Sequence, residues 1–355
     1  MHDGERSSGC DASGLAPLAD SGRFTDEGTP VTVETNGRSY ERQDPRTFAE
    51  VFDGICTNVQ RAIRGKDDVI ALTVTCLVAR GHLLLEDVPG VGKTSLSKAL
   101  ARSIDADFRR VQFTPDLLPS DVVGTSVWSQ QDGSFEFRPG PVFTQLLLGD
   151  EINRASPKTQ SALLEAMAEE QVTVDGATYR LQRPFMVMAT QNPLEHHGTF
   201  PLPESQLDRF LMKLSIGYPS TADERDLLRE VDHDRILSQL RPVASAEDVL
   251  ALGEAAEQVY VADALVAYLV DLAQRSREAS MLRLGVSPRA VLGLLRAARV
   301  RAAADGREFV TPDDIKALAG PVLAHRIVIG PDSRLSGLSA DEAIAELLTS
   351  TPVPS

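Results

Sequence analysis

The chain has 355 residues, a length typical of two domains rather than of one small core. Hydrophobic residues make up 42% and charged residues 25%, a balance that excludes a wholly disordered or fibrous chain. The apolar runs are too short to cross a bilayer and none follows a basic N-terminus, so we expect a cytoplasmic protein with neither a transmembrane segment nor a secretory signal. The widely spaced Cys10, Cys56 and Cys76 predict neither a disulfide framework nor a zinc site.

The net charge of −15 removes the simplest argument for binding nucleic acid. Phosphate backbones are usually met by clustered lysine and arginine, and the sequence has no long basic run. We therefore expect no nucleic-acid partner.

Composition and periodicity divide the chain into four parts. Residues 1–44 are acidic, rich in glycine and serine, and predict a disordered tail. We expect an α/β core over residues 45–218, a smaller helical domain over 219–330, and a C-terminal helix and tail over 331–355.

The core alternates predicted helices with short apolar segments that are typical of buried parallel strands. After two helices, near 48–63 and 67–79, the predicted strands are 82–86, 108–113, 145–148, 185–189 and 210–216. Asp-Gly pairs predict two β-hairpins, 125–138 and 171–181, because both residues tolerate a positive φ.

Helical periodicity replaces the strands after residue 218. The predicted helices are 223–240, 247–259, 263–277, 288–304 and 312–326. Ser287-Pro288 and Thr311-Pro312 each place a capping residue before a proline that suits the first helical position. The second domain is therefore predicted to be all-helical.

The strongest motif is Asp-Val-Pro-Gly-Val-Gly-Lys-Thr, which runs from Asp87 to Thr94 between a predicted strand and a predicted helix. This context indicates a phosphate-binding loop rather than a glycine-rich turn that binds nothing. Backbone N–H groups would surround phosphate oxygens, Lys93 would reach the β- and γ-phosphates, and the Thr94 hydroxyl would hold Mg²⁺. Asp87 stands where such loops usually begin with glycine. The predicted phosphate-binding residues are Pro89, Gly90, Val91, Gly92, Lys93, Thr94 and Ser95.

Polar side chains follow two further predicted strands. Asp150 and Glu151 end one of them, and with a phosphate loop upstream they suit Mg²⁺ and an attacking water, respectively. Alone, such a pair would usually be a helix cap or a solvated turn. Asn192 follows the next strand and would face the γ-phosphate, unless it only forms a turn before Pro193.

Four ordered motifs resemble those of the MoxR family of AAA+ ATPases. They are Leu-Glu-Asp-Val-Pro-Gly-Val-Gly-Lys-Thr ending at Thr94, Gly-Asp-Glu-Ile-Asn-Arg-Ala from Gly149, Ala-Thr-Gln-Asn-Pro from Ala189, and Leu-Pro-Glu-Ser-Gln-Leu-Asp-Arg-Phe from Leu202. The resemblance runs from about residue 51 to about residue 328. It implies an AAA+ P-loop NTPase core with a parallel sheet and two β-hairpin inserts, followed by a small all-helical lid.

The resemblance also implies roles that the residues alone do not give. AAA+ proteins commonly act as ring oligomers, often hexamers, with ATP at subunit interfaces. Arg209 matches the arginine finger that reaches a neighbour's γ-phosphate, and Arg289 matches the second sensor arginine on the lid. Arg154 follows the paired carboxylates at another matching position, without a settled role.

The implied function is ATP-driven remodelling of protein clients, with von Willebrand factor A domain proteins and metal-cofactor insertion as family themes. Trp128 and Phe135 in the first hairpin are candidates for client contact, although packing within the hairpin explains them equally well. A nucleic-acid motor of a related clade is the alternative, which basic residues in that hairpin would favour. A nucleotide-gated scaffold with little turnover is a third hypothesis, which loss of Glu151 or Arg209 would have favoured.

Overall fold

The computed structural model describes residues 47–131, 133–193, 198–229 and 233–353. The predicted acidic tail lies outside the described residues, as does Asp132 of the first hairpin turn. The described α-helices are α1 (Phe48–Gln60), α2 (Asp67–Val78), α3 (Lys93–Ser103), α4 (Pro119–Val123), α5 (Pro157–Glu169), α6 (Glu204–Leu207), α7 (Thr221–Arg229), α8 (His233–Gln239), α9 (Ala246–Glu257), α10 (Asp263–Glu278), α11 (Pro288–Ala304), α12 (Pro312–Leu323), α13 (Pro331–Leu335) and α14 (Ala340–Ser350). The described strands are β1 (Leu83–Glu86), β2 (Phe108–Gln112), β3 (Gly124–Ser129), β4 (Ser134–Pro139), β5 (Leu146–Asp150), β6 (Gln171–Val174), β7 (Ala177–Arg180), β8 (Met186–Gln191), β9 (Met212–Leu214), β10 (Leu282–Leu284) and β11 (Val328–Ile329).

A parallel five-stranded sheet forms the centre of the core, in the order β2-β5-β8-β1-β9. All five predicted core strands are present. The last, β9, is shorter than predicted at both ends, and beyond its C-terminal end the backbone N–H of Ile216 bonds the Asp87 carboxylate instead of continuing the ladder. The register pairs Glu86 with Gln191 and Gln112 with Asp150, so the carboxyl ends of four strands meet at one edge.

Apolar side chains cover both faces of this sheet. Along β1, Leu83 and Leu85 join one buried cluster while Leu84 joins the other, as the two-residue period of a strand requires. The first cluster continues without a break from α1 and α2 into α9, α11 and α12. Helices before the sheet and helices of the lid therefore share one apolar core.

Both predicted hairpins are present as separate two-stranded sheets, β3–β4 and β6–β7. The ring of Phe137 stacks on the ring of Tyr179 with 4.0 Å between centroids. This contact joins the first hairpin to the second.

The region after Tyr218 is helical as predicted, with one exception. β10 and β11 form a short antiparallel pair, so the lid is not exclusively helical. Its strands have three and two residues, too few for a two-residue alternation to stand out in sequence. The helix predicted over 223–240 corresponds to α7 and α8, and residues 230–232 between them lie outside the described residues. Among the described helices, none has the length and apolar character that a membrane crossing requires.

Candidate active site

A cavity of about 390 Å³ lies at the carboxyl edge of the sheet, where β1, β2, β5 and β8 end. Ligands of open parallel sheets bind at this edge. The cavity is lined by Pro89, Gly90, Gly92, Lys93, Thr94, Ser95, Arg110, Gln112, Asp150, Glu151, Thr190 and Asn192. It therefore brings together six of the seven predicted loop residues with Asp150, Glu151 and Asn192. Val91, the seventh, packs against the apolar core.

The loop after β1 has the backbone that a phosphate cradle needs. Gly90 and Gly92 have φ values of 87° and 97°, a region that residues with a side chain rarely adopt. Gly92 immediately precedes α3 and has no side chain to cap it. The first N–H groups of α3 are therefore open to an anion at the positive end of the helix dipole.

Lys93 is the first residue of α3, and its Nζ reaches back to the loop and donates a hydrogen bond to the Asp87 carbonyl oxygen at 2.6 Å. Burial lowers the pKa of Lys93, and the nearby carboxylates of Asp87, Asp150 and Glu151 oppose that shift. A ligand rich in negative charge would further stabilise the charged form of Lys93 against the cost of burial.

Asp87 anchors the start of the loop, a role that no sequence motif predicts. Its carboxylate is buried and accepts hydrogen bonds from the backbone N–H groups of Ile216 and Gly217 and from the Ser215 hydroxyl. These partners are about 130 residues away in the chain. The loop is thereby tied to the segment that leads from β9 towards the lid.

Thr190 holds the Asp150 carboxylate and the backbone of Glu151, a role that sequence reasoning also missed. Its hydroxyl donates to Oδ1 of Asp150 at 2.6 Å and accepts from the backbone N–H of Glu151 at 2.9 Å. Glu151 itself adopts a left-handed backbone conformation with φ 56°. Such strain in a residue with a side chain is typical of functional sites.

The Glu151 carboxylate is held by two neighbours. Its Oε2 accepts from Nε2 of Gln112 at 2.9 Å and from Nη1 of Arg154 at 3.0 Å. Gln112 is the last residue of β2, the strand beside β5, and the sheet order therefore places it next to the end of β5. Arg154, which only the resemblance had marked, is thereby placed beside the predicted base.

The same cavity offers oxygen donors that suit a magnesium ion. Mg²⁺ prefers carboxylate and other hard oxygen ligands together with phosphate oxygens. The hydroxyl of Thr94 and the carboxylate of Asp150 both line the cavity. The donor set at this edge of the sheet therefore fits the predicted ion.

Two of the predicted site residues, Arg209 and Arg289, do not line the cavity. The guanidinium of Arg209 donates to the Leu164 carbonyl oxygen of α5. Arg289 is exposed in the first turn of α11, after the capping residue Ser287. The structure thus does not bring either arginine to the phosphate loop of its own chain.

Comparison with known proteins decides the family. A model of the ATPase family associated with various cellular activities (AAA) matches residues 82–212, and a model of the AAA lid domain matches residues 274–347. Chaperone MoxR1 of Mycobacterium tuberculosis is 41% identical over 83% of this chain and 80% of its own. The chain belongs to the MoxR family of AAA+ ATPases.

Other similarities agree with this family. Protein YeaC of Bacillus subtilis, which is uncharacterized, is 48% identical over 84% of this chain and 93% of its own. The crystal structure of a candidate ATPase from Cytophaga hutchinsonii superposes with a TM-score of 0.81, at 38% identity, over 87% of this chain and 96% of that one. This MoxR-family protein is therefore an ATPase with an AAA+ core and a lid, and AAA+ ATPases typically assemble into rings.

Proposed function

We propose that this MoxR-family ATPase acts in the cytoplasm as a ring, a hexamer in the simplest case, that hydrolyses ATP between subunits to remodel protein clients. The observation that carries the proposal is the cavity itself. It unites Lys93, Asp150 and Glu151 at one edge of the sheet while the matching arginine, Arg209, lies elsewhere. Because Arg209 lies outside the cavity of its own chain, the site needs a second subunit to supply the matching arginine.

Within the cavity each residue takes a distinct role. The backbone from Pro89 to Ser95 and the Lys93 ammonium bind the phosphates, and Thr94 and Asp150 hold Mg²⁺. When bound, the ion neutralises charge on the phosphate oxygens. Glu151 accepts a proton from the attacking water. Gln112 and Arg154 orient the Glu151 carboxylate for this role. Asn192, which is buried beside the loop, orients the γ-phosphate.

Arg209 and Arg289 contribute from outside the cavity of their own chain. Arg209 reaches the γ-phosphate of a neighbour, where a guanidinium stabilises the charge of the transition state. Its present bond to Leu164 ties it to α5, so that it travels with the core of its own subunit. Arg289 approaches the phosphates as the lid closes.

The first hairpin supplies the surface for a client. Trp128 and Phe135 are paired across β3 and β4, with 5.1 Å between ring centroids, and remain 52% and 71% exposed. Exposed aromatic pairs suit the apolar side chains of an unfolded or mobile polypeptide. The client is a protein, with a von Willebrand factor A domain partner as one class and metal-cofactor insertion as one outcome.

Nothing in the described part of this hairpin favours a nucleic-acid motor. Its strands carry Glu136 and Arg138, which balance each other and form no basic patch.

The test of the shared site is a mixing experiment with two inactive variants. Arg209→Ala retains its own phosphate loop, and Lys93→Ala retains its own arginine. In mixed rings a Lys93→Ala subunit lends Arg209 to the site of an Arg209→Ala subunit, so part of the ATPase activity should return. Recovery should rise with protein concentration as rings form, and mass measurement under the same conditions reports assembly.

The matched control is the double variant Lys93→Ala with Arg209→Ala. It should co-assemble but restore no activity to the Arg209→Ala subunits, because neither partner then carries the arginine. Absence of recovery in proven mixed rings would refute a finger supplied by Arg209. A monomer that hydrolyses ATP at the full rate would refute the shared site altogether.

A further inference from the structure

We propose that Arg110 acts as a resident cation that competes with Mg²⁺ for Asp150 and sets the magnesium requirement of nucleotide binding. Arg110 lies on β2 and reaches across to β5. Its Nη2 is 2.6 Å and its Nε 3.2 Å from Oδ2 of Asp150. The inference rests on the proposed role of Asp150 at the metal.

Both oxygens of Asp150 are engaged in this state. Oδ1 accepts the Thr190 hydroxyl and Oδ2 accepts the Arg110 guanidinium. Thr190 also binds the backbone of Glu151 and is buried, so its bond is part of the sheet edge. Oδ2 is therefore the atom that can turn to a metal or to its water shell, and it becomes free only when Arg110 withdraws.

The Arg110 side chain is placed to make this exchange. It is 48% exposed, whereas the Asp150 side chain is 15% exposed. Exposed ion pairs are weak because solvent screens them and holding a long side chain costs entropy. A divalent ion that also binds phosphate can therefore displace Arg110 from Asp150. The positive charge of Arg110 nevertheless repels the ion and lowers the affinity of the site for it.

Arg110 also connects the metal position to the catalytic carboxylate. The same Nη2 donates to Oε1 of Gln112 at 3.2 Å, and Nε2 of Gln112 donates to Oε2 of Glu151 at 2.9 Å. When Arg110 withdraws from Asp150 and Gln112 together, the Gln112 amide loses one anchor. The hold on Glu151 therefore loosens when Asp150 turns to the metal.

The test measures binding of a fluorescent ADP analogue while Mg²⁺ is titrated, so it does not depend on turnover. In Arg110→Gln, half-maximal binding should occur at an Mg²⁺ concentration lower by about five- to tenfold, since one repelling charge near the ion is gone. Arg109→Gln is the matched control, because this neighbouring exposed arginine loses the same charge outside the cavity. It should leave the Mg²⁺ requirement unchanged.

Two further variants of Arg110 sharpen the result. Arg110→Thr also removes the charge, and threonine is well accommodated in strands. This variant should lower the Mg²⁺ requirement as Arg110→Gln does. Arg110→Lys keeps the positive charge and should stay within about twofold of the wild-type requirement. A shift in the lysine variant as large as that in the glutamine variant would overturn competition by charge.

Other outcomes also contradict the proposal. An unchanged Mg²⁺ requirement in both neutral variants would show that Arg110 does not compete with the ion. Weakening of nucleotide binding by more than about tenfold at saturating Mg²⁺ would identify Arg110 as a phosphate ligand instead. In either case a wild type that binds with Mg²⁺, and a Lys93→Ala variant that does not, would leave the proposed nucleotide site standing.

Discussion

The hydroxyl of Thr190 lies 2.6 Å from Oδ1 of Asp150, and this bond joins β8 to β5 at the floor of the nucleotide cavity. Since the same hydroxyl accepts the backbone N–H of Glu151, one side chain holds both the Asp150 carboxylate and the backbone of the next residue.

Replacement of this hydroxyl should therefore impair hydrolysis more than folding. Thr190→Val has nearly the same shape but leaves Asp150 and Glu151 without their common partner. Because outer-shell partners of metal ligands are typically worth about 10–100-fold in metal affinity or activity, we expect a loss of that order. Steady-state phosphate release measures it, and Thr190→Ser, which keeps the hydroxyl, should retain most of the activity. Equal losses in both variants would contradict the role of the hydroxyl.

Lys93 and Glu151 should separate binding from chemistry. Lys93→Ala removes the ammonium that we propose binds the β- and γ-phosphates and should abolish tight ATP binding in isothermal titration. Glu151→Gln spares the loop and should bind ATP normally, while turnover should fall by about 10²–10⁴-fold because the proposed proton acceptor is lost. Glu165→Gln, at an exposed position on α5, is the charge-matched control and should change neither quantity. Normal hydrolysis by Glu151→Gln would assign the base elsewhere.

The Asp87 anchor predicts a loss of stability. Asp87→Ala strips the acceptor from the backbone N–H groups of Ile216 and Gly217 and from Ser215. Donors left without partners cost about 1–3 kcal/mol of unfolding free energy. Urea unfolding should show this loss, with no such loss in Glu254→Ala, whose side chain is exposed on α9. Wild-type stability in Asp87→Ala would mean that water or a neighbour replaces the carboxylate at no cost.

Two buried histidines predict how stability depends on pH. Burial lowers the pKa of His82 from 6.5 to about 4, and burial together with the charge of Arg326 lowers the pKa of His325 to about 3. The folded protein keeps both rings neutral where the unfolded chain protonates them. Stability is therefore fully present above pH 6.5 and falls as the pH drops through 6.5 towards 4 and 3.

His82→Gln removes the contribution of one of these two histidines to the pH dependence. The His82 ring donates from Nε2 to the Met167 carbonyl and accepts the Val187 N–H at Nδ1, and a glutamine amide can do both without titrating. Urea unfolding between pH 7 and pH 4.5 should give a shallower fall in the variant, by about 1.4 kcal/mol per pH unit for the missing proton. Identical slopes in variant and wild type would show that His82 does not contribute.

The local parts of this protein follow from its sequence because each is specified within a few adjacent residues. A short apolar run leading into Gly90, Gly92 and Lys93 predicts strand, phosphate loop and helix together, and the structure has β1 and α3 at these places. The carboxylates at the end of β5 and both hairpins follow in the same way. The lid helices follow from their periodicity and their capping residues, such as Ser287 and Thr311.

The partners that orient the site were decided by the tertiary structure alone. Thr190, Gln112 and Arg110 reach Asp150 and Glu151 from about 40 residues away, because the sheet places β2 and β8 on either side of β5. No local pattern encodes which strands become neighbours, since that depends on how the whole apolar core closes. Asp87 shows the same limit. By sequence it is only a departure from the usual glycine, and its anchoring role exists because folding brings the end of β9 against the loop.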